Sequence, residues 1–211
     1  MHTLSKTVRL RKLARRLATC IACPGLNIPQ ETMSAPPYGC PDSPVMLVGQ
    51  SLHSYNRETP RRQIPFVGPS FIRDSGNVLI ETIEAAGFKF ADLFTTNVVH
   101  CHPPDNRASK PAETMACRHF LLTEIDIVRP KLIVALGNPA GIALDISVRN
   151  RVVPIHLRLQ HGSFRTAGLL VYHPAYILRL EKVPEEASRI AEWGATFTYY
   201  LQCYMNGDPP K

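Results

Sequence analysis

The residues best equipped for chemistry are cysteines. Cys20-Ile-Ala-Cys23 is a C-x2-C pair, and Cys101 and Cys117 follow far downstream with fifteen residues between them. Thiolate sulfur is a soft donor that suits zinc and iron–sulfur clusters alike. A zinc ribbon more often carries a second close pair, so the wide second spacing points to a cluster that pins the N-terminal segment to the body of the domain. Four unrelated buried thiols are the competing reading. Cys40 and Cys203 have no such context and read as free thiols. A second set of polar groups stands at or just after apolar runs: Gly49-Gln50, Asn97, Gly137-Asn138 and His173. Ligands of open α/β sheets bind outside the carboxyl ends of the strands, so these positions are the candidate site.

The elements that would carry these residues follow from periodicity and breakers. Residues 4–19 space Leu4, Val8, Leu10, Leu13 and Leu17 among basic residues, a helical pattern whose charged side reads equally as a solvated face. Prolines and glycines interrupt 24–44. Val45–Val48, Phe94–Val99, Leu132–Leu136 and Leu169–Tyr172 are apolar runs of buried-strand length, separated by helical patterns over 75–87, 111–128 and 139–144. A last helix covers roughly 184–204, and 152–170 is ambiguous. Strands alternating with helices predict a single α/β domain over 1–211, with a central, mostly parallel four-stranded sheet flanked by helices. The N-terminal helix and C-x2-C segment, about 4–44, would be tied on by the cysteine centre.

Composition narrows the partners. At 211 residues, 45% hydrophobic and 19% charged, the chain is ordinary globular protein. No apolar run approaches the ~20 residues of a membrane span, and the basic N-terminus leads into a Cys/Pro segment rather than the apolar core of a signal peptide. A cytoplasmic location is expected. Lys and Arg total 24 against 17 Asp and Glu, a net charge of +7 that suits a polyanion.

Seven segments in order resemble the uracil-DNA glycosylase superfamily, closest to its iron–sulfur branch, the family 4 and family 5 enzymes. They are the C-x2-C pair, VMLVGQ (45–50), IPFVG (64–68), TTNVVHCHPPDNR (95–107), CRHFL (117–121), PKLIVALGNPA (130–140) and YHPAYILR (172–179). The resemblance implies an α/β/α sandwich and a structural 4Fe–4S cluster on Cys20, Cys23, Cys101 and Cys117. It also implies a flipped uracil bound by Gly49, Gln50, Phe66, Asn97 and His173, with Phe66 stacking on the base. Asn97 would read O4 and N3–H, and His173 would face O2 and stabilise charge on the leaving base. Tyr176, Ile177 and Leu178 match the segment that wedges into the duplex, with Arg179 near phosphate. Arg57, Arg61, Arg62, Arg107 and Lys110 are loop cations beside the motifs, suited to binding phosphate.

The first motif departs from the family. Family 4 has a pattern like GEAPGxxE, whereas here GQSLHSYN puts Gln50 and Asn56 at the acidic positions. His53, Asp74 and Glu58 are the candidate replacements; Asp74 lies in a stretch reminiscent of the Asp-x-Ser-Gly of family 5. A dissociative reaction needs no strong base at all. The basic, histidine-bearing insertion of the covalently trapping relatives is absent, which favours hydrolysis. The expected activity is excision of uracil from single- or double-stranded DNA. The rival readings are a non-catalytic cluster protein on damaged DNA and a glycosylase for hypoxanthine or xanthine. His100, His102, His119, His156 and His161 are expected in surface or core roles, with DNA contact a further role for His161.

Overall fold

The computed structural model describes residues 4–28, 34–52, 64–66, 74–159 and 162–210. Its centre is a sheet with strand order β1-β3-β2-β4-β6-β5: Tyr38–Gly39 (β1), Val45–Ser51 (β2), Phe94–Val99 (β3), Leu132–Leu136 (β4), Val152–Leu159 (β5) and Gly162–Val171 (β6). The four inner strands are parallel, and β1 and β5 add antiparallel edges. The expected four-strand sheet is therefore the parallel core of a six-strand one. The ambiguous stretch supplies β5 and the first half of β6. Its apolar alternation, Ile155, Leu157 and Leu159 buried between exposed Pro154, His156 and Arg158, is that of a strand covered on one face only.

Alternation along the inner strands feeds two apolar layers. Met46, Val48, Phe94, Ile133 and Ala135 face one layer, with helices Lys6–Ala18 (α1), Pro111–Val128 (α3) and Asn138–Ala143 (α4). Val45, Leu47, Leu132, Val134 and Leu136 face the other, with Ser75–Ala85 (α2), Pro174–Leu180 (α5) and Ala187–Met205 (α6). The result is an α/β/α sandwich. The helix α1 docks through Leu10, Leu13 and Leu17, which are 9%, 3% and 2% exposed. Burial of each such leucine contributes about 1.5–3 kcal/mol, enough to hold the helix despite its crowded charge.

The connection from β2 leads to β3 on one side, and the connection from β3 returns past β2 to β4 on the other. The carboxyl ends of β2 and β4 thus flank the topological switch point, where open α/β sheets bind ligands. Among the described residues no helix is long and apolar enough to cross a membrane.

Candidate functional site

At this switch point Gly49 of β2 lies opposite Asn97 of β3. A Cβ on Gly49 would fall well inside 3.0 Å of both Phe66 Cζ and Asn97 Oδ1, so glycine is what lets ring and carboxamide approach the strand. Asn97 is 2% exposed, and its Oδ1 has no hydrogen-bond partner among the described residues. Buried polar atoms are nearly always paired, so this acceptor is built for something that enters. Phe66 has φ 64°, a left-handed conformation that a bulky residue adopts only under constraint. Its carbonyl presses on Gly76, where a Cβ would collide with it. Its ring stands 6.1 Å from that of His173, centroid to centroid.

His173 caps α5: its Nδ1 accepts from the Ala175 N–H at 3.1 Å. An accepting Nδ1 leaves the proton of a neutral imidazole on Nε2, making that atom a donor. Gly137, with φ 89°, brings the end of β4 against this histidine; a Cβ there would sit 3.0 Å from His173 Cβ. Gln50, Ser51, Leu52, Asn106, Arg107, Ala108 and His173 line a cleft of about 240 Å³. Of its lining, Gln50, Arg107 and His173 are candidates in the sequence, whereas Ser51, Asn106, Ala108 and Leu52, whose carbonyl meets His102 Nδ1 at 3.0 Å, come to it only in the folded chain.

Three of the expected site residues have packing or partners of their own in the fold. Ile177 is 1% exposed within the apolar layer that α5 shares with α2 and α6, so of the expected wedge residues it is the one the core covers. The guanidinium of Arg107 is bound by Glu113 at 2.6 and 3.0 Å and so braces the cleft wall. This arginine and the Lys110 N–H hold the Glu113 carboxyl below its ordinary range against the opposing effect of burial. Asp74 is the N-cap of α2, its Oδ1 accepting from Gly76 and Asn77 at 2.7 and 3.1 Å, beneath the Phe66 turn. The half-buried Tyr176 receives a hydrogen bond from Arg189 at 3.0 Å, Leu178 is half-buried, and Arg179 is exposed. His53, Asn56, Arg57, Glu58, Arg61, Arg62 and His161 lie outside the described residues.

Cys20, Cys23, Cys101 and Cys117 line one small cavity with Leu17, Leu26 and Val99. The loop behind it is organised by Asn27, whose side chain donates to the carbonyls of Leu17, Ala18 and Cys20 and accepts from Ser34. Ser34 in turn bridges to Cys101. Burial and the neighbouring thiols push Cys101 up to about 12 and raise Cys23 as well. Crowded thiolates need a positive partner, and a metal centre is the group that deprotonates them. Four sulfurs around one cavity are a soft donor set of the kind zinc and iron–sulfur clusters both take; among the described residues no group of three ligating side chains is arranged to hold a metal ion.

Behind Cys117 lies a polar array that the sequence reading placed among default core roles. His100 Nδ1 is 3.3 Å from Cys117 Sγ, and Nε2 is 2.7 Å from Glu124 Oε1; Glu124 Oε2 accepts from Thr96 at 2.7 Å. Burial works against protonation of His100, but the Glu124 charge and the bond to Cys117 outweigh it and lift the imidazole to about 10. The signal was present: Glu124 interrupts an otherwise apolar helix face of Phe120, Leu121, Ile125 and Val128.

The chain belongs to the uracil DNA glycosylase superfamily, whose family model matches residues 36–193. Among curated relatives, the type-4 uracil-DNA glycosylase of Thermotoga maritima is 33% identical over 183 residues, covering 85% of this chain and 87% of its own. That of Sulfurisphaera tokodaii is 33% identical over 209 residues, 94% of this chain and 90% of its own. The type-5 uracil-DNA glycosylase of Pyrobaculum aerophilum is 26% identical over 187 residues, 76% and 80% of the two chains.

Proposed function

We propose that this protein is a monofunctional uracil-DNA glycosylase, which hydrolyses the N-glycosidic bond of uracil in DNA and leaves an abasic site. It would act as a monomer on nucleoid DNA in the cytoplasm. The observation that carries the reading is the buried Asn97 Oδ1 beside Gly49 and Phe66, which has no hydrogen-bond partner among the described residues. A carboxamide there accepts from uracil N3–H and donates to O4, whereas cytosine presents the reverse pattern. The Phe66 ring stacks on the flipped base. The type-4 relatives at 33% identity support the same substrate.

His173 Nε2–H donates to uracil O2. As the bond from C1′ to N1 breaks, its electron pair moves onto the uracil ring, and the donor stabilises that charge without giving up its proton. The sugar becomes oxocarbenium-like; water oxygen then bonds C1′, its proton is released, and the departing uracil anion takes up a proton from solvent. Gln50 and the fixed carboxylate of Asp74 orient this water in our reading, and negative charge at Asp74 supports the positive sugar. Tyr176 and Leu178 form the duplex wedge, with Arg179 on phosphate.

The cysteine tetrad would hold a 4Fe–4S cluster. When bound it supplies a structural fastening between α1, the Cys20–Cys23 loop and α3. The purified protein is expected to be brown and to contain iron and acid-labile sulfide; a colourless, zinc-loaded protein overturns this reading.

Excision is tested by strand cleavage at abasic sites in uracil-containing oligonucleotides, single- and double-stranded. No product at stoichiometric protein overturns the enzyme reading. Asn97→Asp is expected to lower uracil excision by about 10- to 100-fold, the loss of roughly 1–3 kcal/mol of hydrogen bonding, and to admit cytosine. Unchanged discrimination would remove Asn97 from the pocket.

A further inference from the structure

The basic surplus of the chain is not concentrated at the described rim of the cleft. The helix α1, KTVRLRKLARRLA, carries Lys6, Arg9, Arg11, Lys12, Arg15 and Arg16 and no acidic residue. The net charge of the whole protein is +7, so outside this helix basic and acidic residues nearly cancel. Two of its cations have internal partners: Lys6 reaches Asp42 at 3.1 Å and the Val128 carbonyl at 2.9 Å, and Arg9 reaches Asp126 at 3.3 Å. Arg11, Lys12, Arg15 and Arg16 are exposed, and among the described residues no carboxylate lies within ion-pair distance of them.

This arrangement is costly for the protein alone. Arg11 and Arg15, and Lys12 and Arg16, are like charges at i,i+4, which destabilise an isolated helix by about 0.2–0.5 kcal/mol per pair. The first turn holds Lys6 and Arg9 where the helix dipole favours acid, while Arg15 and Arg16 stand in the last turn, where it favours cations and offsets part of their repulsion. A groove of about 540 Å³ beside the helix extends the charge with the exposed Arg158; Asp126 within it already serves Arg9 and Arg129. Cleft-side Arg107 is meanwhile engaged by Glu113.

We propose that the outer face of α1 is a second DNA-binding surface, which takes the phosphate backbone through Arg11, Lys12, Arg15 and Arg16 at a place separate from the uracil pocket. A polyanion relieves the repulsion among the four cations and releases counterions on binding. The leucines of α1, Leu10, Leu13 and Leu17, are buried against α3, and the exposed Leu4 and Ile21 stand at opposite ends of the helix, so its outer face offers charge without the continuous apolar face that membrane-surface helices insert. The occupant is therefore a phosphate backbone rather than a lipid surface. This rests on DNA being the partner but not on excision.

The test is binding of the full chain to undamaged duplex DNA across a salt series, by fluorescence anisotropy. The variant carries Arg11→Gln, Lys12→Gln, Arg15→Gln and Arg16→Gln, which keep helix propensity. The slope of log affinity against log salt is expected to fall in magnitude by about 2 to 4, near 0.9 for each phosphate no longer neutralised, with affinity at low salt down at least about tenfold. Thermal stability should be unchanged or higher, and uracil excision at saturating short oligonucleotide unchanged. An unaltered slope overturns the proposal. So does an unaltered slope accompanied by reduced binding to phosphatidylserine vesicles, which would assign the face to lipid. If the wild type binds undamaged DNA with the expected slope but excises nothing, the enzyme reading falls and the surface stands.

Discussion

Gly49→Ala is expected to reduce single-turnover uracil excision by at least about 100-fold while leaving a folded protein. The added methyl falls on Phe66 Cζ and Asn97 Oδ1. Asn97 is held in the sheet opposite Gly49 and cannot retreat without moving β3; the ring is the part that gives way. A displacement near 1 Å in a positioning group costs about two orders of magnitude in rate, whereas overpacking of this size costs about 1–3 kcal/mol of stability. Excision rate and melting temperature measured together separate the two. Wild-type rates in Gly49→Ala would mean that the base does not sit against this strand.

Glu124→Ala is expected to destabilise the protein by about 3–5 kcal/mol, because it leaves the fully buried His100 without its carboxylate, its Nε2 keeping only the Thr96 hydroxyl at 3.2 Å. That is a large fraction of the ~5–15 kcal/mol that typically holds a domain together. The pair raises the His100 imidazole above its ordinary 6.5 to about 10. Its stabilisation is therefore fully present below about pH 6.5 and lost as pH rises through 10, and the gap between wild type and variant should narrow over that interval. Replacing both partners, His100→Leu with Glu124→Leu, should recover most of the loss, since apolar substitutes for a buried pair are often neutral. Denaturant unfolding at several pH values checks both statements. A double variant no better than the single one would locate the damage in Cys117, which also contacts His100.

Much of this molecule could be read before it was seen. The inner strands and α3 declare themselves because strands buried on both faces are continuous apolar runs, and because Pro111 and Pro130 bracket the helix. The edges do not. β1 is two residues whose pairing exists only because Thr95 and Phe94 are there to receive it, and β5 hides its alternation behind Pro154, His156 and Arg158. Asn97 and His173 were visible as polar groups at strand ends, but the Phe66 backbone conformation and its crowding by Gly76 are tertiary facts. Ile177 and Leu178 are neighbours of the same type, and only the packing of α5 in the layer with α2 and α6 decides which one is covered. For Arg107, sequence showed the charge and not the Glu113 that engages it. The +7 was legible as a polyanion signal, yet its gathering on α1 requires knowing which helix face is free.

Adjacent residues of β3 point to opposite layers. Thr96 reaches Glu124 on the α3 side, and Asn97 reaches the Gly49–Phe66 side. The strand therefore keeps two tasks in phase. Inserting or deleting one residue within Phe94–Val99 would exchange them, turning the Asn97 amide into the apolar layer and the Thr96 hydroxyl toward Gly49 and Phe66. Length changes along this strand can be tolerated only in compensating pairs. Lineages carrying both the cysteine centre and the pocket should vary the side chains of β3 freely before they ever vary its number of residues.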